Sequence, residues 1–68
     1  MRVYKVNLKF GKGVQKTRKK MKISQEELAE IVGISRNHMG RVERGEVNVS
    51  LRLASKITKL LKMELKTT

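Results

Sequence analysis

The sequence predicts an all-α fold, a compact bundle of four or five short helices. Three observations carry that prediction. The 68-residue chain contains no proline to interrupt a helix. Start and stop signals recur along it: Ser24, Ser35 and Ser50 suit N-caps, and Gly33 and Gly45 suit helix ends. Between these signals apolar residues return every three or four positions, the spacing of one helix face.

Residues 1–7 read as an N-terminal arm or short strand. Tyr4, Val6 and Leu8 alternate with polar residues, and a single strand would pair only in an oligomer. The first helix is expected to start near Asn7 or Leu8, with Asn7 as N-cap. Phe10, Val14, Thr17 and Met21 would form its inner face, and Gly11 and Gly13 would weaken its first turns. The second helix has the clearest start, because Ser24 followed by Glu27 makes a capping box. Leu28, Ile31 and Val32 are its expected apolar stripe, with Ala29 beside them and Gly33 closing it. Ile34 is expected to be buried after the turn. The third helix should run from about Arg36 to Glu43 with Met39 and Val42 inward, and Gly45 closes it. The fourth should run from Leu51 to about Lys62, with Leu53, Ile57, Leu60 and Leu61 inward. Residues 8–62 thus form the expected domain, and residues 63–68 a tail.

Composition narrows the function. A chain this short buries only about 60% of its unfolded surface and has no room for a deep, dry catalytic pocket. There is no cysteine, one histidine and no paired carboxylate in an expected cleft, so the chain reads as a non-enzyme needing no cofactor or metal. Cysteine's absence also suits a reducing compartment. No apolar run reaches membrane-span length, and no apolar stretch follows Arg2 and Lys5 as in a signal peptide. The expected location is the cytoplasm. The net charge of +11 attracts polyanions, although solubility alone would be a blander reason for it. One Phe and one Tyr are few for stacking on single strands, which favours double-stranded DNA. No acidic residue occurs before Glu26, and the Gly11-Lys12-Gly13 run does not meet the phosphate-loop pattern.

Two short helices joined by a tight glycine turn suit a helix-turn-helix, with Ala29 at the crossing and Gly33 in the turn. An ordinary helical hairpin would share those features. The finer pattern goes further. Ile23-Ser24-Gln25-Glu26-Glu27-Leu28-Ala29-Glu30, Val32-Gly33-Ile34-Ser35, Val42-Glu43-Arg44-Gly45-Glu46, Asn48 and Ser50-Leu51 resemble the lambda-repressor-like, Cro/Xre-type regulators over about residues 8–62. The stretch from Glu43 to Leu51 is similar to the controller proteins of restriction–modification systems.

The resemblance implies a dimeric DNA-binding transcription regulator. It places Ser35, Arg36, Asn37, Gly40 and Arg41 toward the major groove. Arg and Asn can bond there bidentately to guanine and adenine. Gln25 would touch phosphate and brace the third helix, and Arg44 would touch backbone. His38 stands at the edge of that face, where helical geometry favours an exposed bystander. Gly40 would either allow close approach to a base pair or simply be tolerated. Arg18 and Glu43 match family positions that pair, and a structural ion pair is preferred to a phosphate contact by Arg18. Lys19, Lys20 and Lys22 could reach backbone or stay solvated.

Three departures stand out: Lys62 where many members have glycine, Val49 where many have proline, and a chain that stops where a fifth helix commonly builds the dimer. Leu60, Leu61, Met63 and Leu65 are the apolar residues expected to serve a homodimer. An acidic patch of Glu26, Glu27 and Glu30 could contact RNA polymerase, or serve capping and solubility. The alternative function is an antitoxin-like interaction module that regulates its own operon, which the lack of a long wrapping tail disfavours. A cationic membrane-active peptide would not need the caps at Ser24 and Gly33.

Overall fold

The first helix starts earlier than its sequence suggests. In the computed structural model, which describes residues 5–62, α1 spans Lys5–Lys20, α2 Gln25–Val32, α3 Arg36–Glu43 and α4 Leu51–Leu61. The described residues contain these four helices and no strand. Asn7 therefore lies inside α1 and is not its cap. Its side-chain amide donates to Asn48 Oδ1 at 2.8 Å, tying α1 to the loop before α4. Residues 5–7 of the expected arm are thus helical, while residues 1–4 and the tail at 63–68, with any fifth helix, lie outside the described residues.

The inner face of α1 is also turned by about one residue. Half-buried Asn7 and buried Gly11, Val14 and Arg18 lie along it, flanked by half-buried Phe10 and Thr17. Met21 lies beyond the helix end and is 43% exposed, so it does not serve as the core residue expected. Gly11 explains the rotation. A Cβ at this position would overlap the Val42 carbonyl oxygen and stand 2.5 Å from that of Glu43. The glycine that costs α1 about 1 kcal/mol in helix propensity lets it lie against the last turn of α3.

The α2 boundaries follow their signals. Ser24 Oγ accepts from the Glu27 N–H, and Glu27 Oε1 accepts from the Ser24 N–H, so the capping box is complete. Both bonds to Ser24 hold the Glu27 carboxyl below its ordinary value. Gly33, at φ 83°, ends the helix with its N–H donating toward Ala29 and Glu30. The Ile34 N–H returns to the Ala29 carbonyl at 2.9 Å, the bond that closes a Schellman turn. Leu28, Ala29 and Val32 are buried, whereas Ile31 is 60% exposed. The expected inward role of Ile31 is corrected: Ala29, 1% exposed, takes the inner face with Leu28 and Val32. Ile34 is half-buried against the core.

Ser35 and Ser50 cap α3 and α4 by accepting the N–H of His38 and of Leu53, at 3.0 and 3.1 Å. Along α4, Ala54, Ile57, Thr58 and Leu61 are buried, with Leu53 and Leu60 half-buried beside them. Leu61 is 3% exposed and committed to this domain's own core, so it is not a spare dimer residue. Lys62 ends α4 at φ 56°, taking the left-handed conformation that glycine more often supplies. The central cluster is Val14, Leu28, Ala29, Val32, Met39, Val42, Ile57 and Leu61. All four helices contribute to it, and none of them is long and apolar enough to cross a membrane.

Candidate nucleic-acid interface

The rear of α3 is fixed and its front is free. Met39, Gly40, Val42 and Glu43 are buried, while Arg36, Asn37, His38 and Arg41 are exposed. On an eight-residue helix this division leaves a polar outer face of two arginines, an asparagine and a histidine.

Glu43 does most of the fixing. Arg18 Nε donates to its Oε2 at 2.7 Å and Arg18 Nη2 to its Oε1 at 3.1 Å. Gln25 Nε2 donates to the same Oε1 at 3.0 Å. Arg18 Nη1 reaches the Ile23 carbonyl at 2.9 Å. One carboxylate thus joins α1, α2 and α3, and one guanidinium also holds the strand of chain between α1 and α2. Among the described residues no buried side-chain polar atom lacks a partner, so the network is satisfied, the condition under which a buried charge pair is tolerable.

In front of this network lies a shallow polar depression lined by Gln25, Arg36, Asn37, Gly40 and Arg44. Gly40 forms its floor. A Cβ there would stand 3.1 Å from Arg44 Nη1 and 3.7 Å from Gln25 Oε1, so the glycine leaves room for two polar ends to converge. Gln25 is half-buried and contributes to both systems: its amide nitrogen braces Glu43 and its oxygen faces the depression. Ser35 Oγ is engaged as the cap, and His38 is exposed on the flank.

Arg44 is not free at the helix end. Its Nε donates to Glu46 Oε2 at 2.8 Å and its Nη2 to Oε1 at 3.4 Å. Arg41 Nε approaches the same carboxylate at 3.9 Å. The Arg44 hydrogen bond lowers the Glu46 carboxyl below its ordinary value, with the nearby Arg44 and Arg41 charges adding to it, and raises the Arg44 guanidinium. Sequence reasoning missed Glu46 as a member of the site, and missed the Ile23 carbonyl in the Arg18 network. A carboxylate placed just beyond Arg41 and Arg44, after a glycine, was the available signal for the first. A main-chain oxygen gives no sequence signal.

Comparison with known proteins agrees with this geometry. The family profile described as helix-turn-helix matches residues 14–66. Among solved structures, the restriction-modification controller protein C.AhdI from Aeromonas hydrophila is 39% identical. The alignment covers 90% of this chain and 92% of that one, with a TM-score of 0.81. The clp gene regulator ClgR from Corynebacterium glutamicum shares the fold at a TM-score of 0.83. Its identity is 22%, over 91% of this chain and 66% of that one. No curated protein sequence matches the chain.

Proposed function

The chain belongs to the helix-turn-helix family, and on that premise we propose how it acts as a DNA-binding transcription regulator. It binds a pseudo-palindromic operator as a homodimer, each α3 entering a major groove about 34 Å from the other. Arg36, Asn37 and Arg41 read base edges. Arg44 holds the phosphate backbone through Nη1, the terminal nitrogen that does not bond Glu46, and Gln25 donates to it with the second hydrogen of the Nε2 that braces Glu43, assisted by Lys22 from the turn after α1. Ser35 caps α3 at the backbone, and Gly40 lets the helix approach closely. His38 flanks the contact.

The observation that carries this reading is the division of α3. Its rear is locked by the Arg18–Glu43–Gln25 network, and its front presents only exposed polar side chains. A reading head must be held in one orientation while its outer face stays open, because misplacement of a bidentate contact loses its discrimination. The likeness to C.AhdI over nearly the full chain supports control of restriction–modification genes as the regulatory task. Occupancy of a promoter would repress. Activation would use the exposed Glu26, Glu27 and Glu30 as a contact for RNA polymerase.

Selection of binding sites from random duplex DNA tests the reading. The expected result is a two-fold related site with half-sites about one helical turn apart. Enrichment of a single half-site, by protein that remains monomeric on DNA, would remove the dimer. No enrichment above random DNA would remove sequence-specific reading altogether.

A further inference from the structure

The outer face of α1 is the largest feature this function leaves unused. Gly11 and Arg18 turn the inner face of α1 to the rear of α3, where they meet the carbonyls and carboxylate of its last turn. Lys9, Lys12 and Lys16 are exposed and lie roughly 100–160° around the helix from Gly11. Lys9 and Lys16 therefore point away from α3 and Lys12 to its side, while a duplex seated on Arg36, Asn37 and Arg41 would lie on the opposite side of α3 from α1. Residues 5–20 contain no acidic residue, and no lysine takes part in the ion pairs among the described residues. Spacings of three and four place like charges on one another, which works against the helix. Solubility alone would be served as well by mixed signs.

The geometry points to a second DNA-binding surface, on which Lys9, Lys12 and Lys16 hold another duplex segment against the back of the domain while α3 occupies an operator. The three lysines span about 10 Å of helix, and one DNA strand presents a phosphate every ~3.4 Å of axis, so they run along about four successive phosphates and can contact three of them. The surface has no aromatic or amide side chain between the lysines, so it follows backbone without reading sequence. DNA is the occupant because operator binding already brings flanking and neighbouring duplex to high local concentration. This surface rests on the operator-binding reading of α3, and the test separates the two.

Immobilised operator duplex is loaded with protein and exposed to labelled duplex that lacks the operator. The wild-type protein should retain the labelled duplex, with retention falling about 40-fold between 50 and 200 mM salt, the slope for three phosphate contacts. The K9Q/K12Q/K16Q protein should bind operator within about twofold of wild type and lose at least about tenfold in capture, the order expected of three lost phosphate contacts. Lys12→Gln alone should reduce the salt slope by about 0.9, which keeps the test valid if the triple variant folds poorly. Operator binding without capture, or equal capture by the triple variant, overturns the second surface and leaves the function of α3 standing. Loss of operator binding by the wild-type protein overturns the function itself. Stronger capture of hairpin RNA or phosphatidylglycerol vesicles than of duplex would overturn the assignment to DNA.

Discussion

Replacing Arg18 by methionine probes the joint that holds α3. Arg18 is 8% exposed and Glu43 3%, so the variant leaves a carboxylate buried with its only cation gone. Two of the three side-chain bonds to Glu43 disappear, and the Ile23 carbonyl loses its donor; the Gln25 amide remains. Breaking a buried pair from one side costs about 3–5 kcal/mol, because the orphaned charge keeps its desolvation penalty. At roughly 0.05–0.15 kcal/mol per residue the whole domain is stable by only about 3–10 kcal/mol. Each 1 kcal/mol moves Tm by about 4–8 °C at this size, so Arg18→Met should lower Tm by at least ~12 °C in thermal circular dichroism. Arg18→Met combined with Glu43→Leu removes both charges and should recover most of that loss. A drop under about 4 °C would refute the reasoning, since it is the size expected of a solvated surface pair. A double variant as unstable as the single one would also refute it, because the penalty would then come from packing.

Three further outcomes follow. Arg36→Ala should cost about 1–3 kcal/mol at the selected operator and relax its sequence preference, whereas Lys22→Gln should weaken operator and random duplex alike and reduce the salt slope by about 0.9; fluorescence anisotropy on both duplexes distinguishes them. Gly11→Ala should destabilise the domain in urea despite alanine's better helix propensity, because its methyl group meets backbone at Val42 and Glu43 that cannot move aside. Glu27 and Glu46 both titrate below their ordinary value, held there by Ser24 and by Arg44. Their stabilisation is complete above the unfolded carboxyl pKa of about 4.3 and is lost as pH falls through the lower folded values. The urea midpoint should therefore fall below pH ~4, and less steeply in the E27Q/E46Q protein.

The centre of the chain was legible because its signals are local. Ser24 with Glu27, Gly33, and Ser35 each act within four residues, and they set both ends of α2 and the start of α3 as observed. What sequence missed depended on other elements. Gly11 reads as a weak point in a helix until α3 is laid against it. Ile31 and Ala29 differ by 160° around the helix, so only one of them can join Leu28 and Val32 on the inner face; an eight-residue pattern fits either, and it is Ala29 that the packing buries. Alternation at Tyr4, Val6 and Leu8 suggested an extended start, yet the face through Gly11 and Val14 continues back to Asn7, which meets Asn48. In the candidate site, residue types marked the outer face of α3, but the sharing of one carboxylate by Arg41 and Arg44 needed the turn at Gly45 to bring Glu46 back.

The central claim is that the free face of α3 reads base edges in the major groove. Guanine N7 lies in that groove, where arginine bonds to it, so dimethyl sulfate protection on the selected operator tests the claim directly. Wild-type protein should protect guanines in two half-sites about one helical turn apart, and Arg36→Ala should expose one guanine in each half-site while the rest stay covered. Tight binding that leaves every guanine N7 reactive would place the protein elsewhere on the duplex and contradict the assignment of α3.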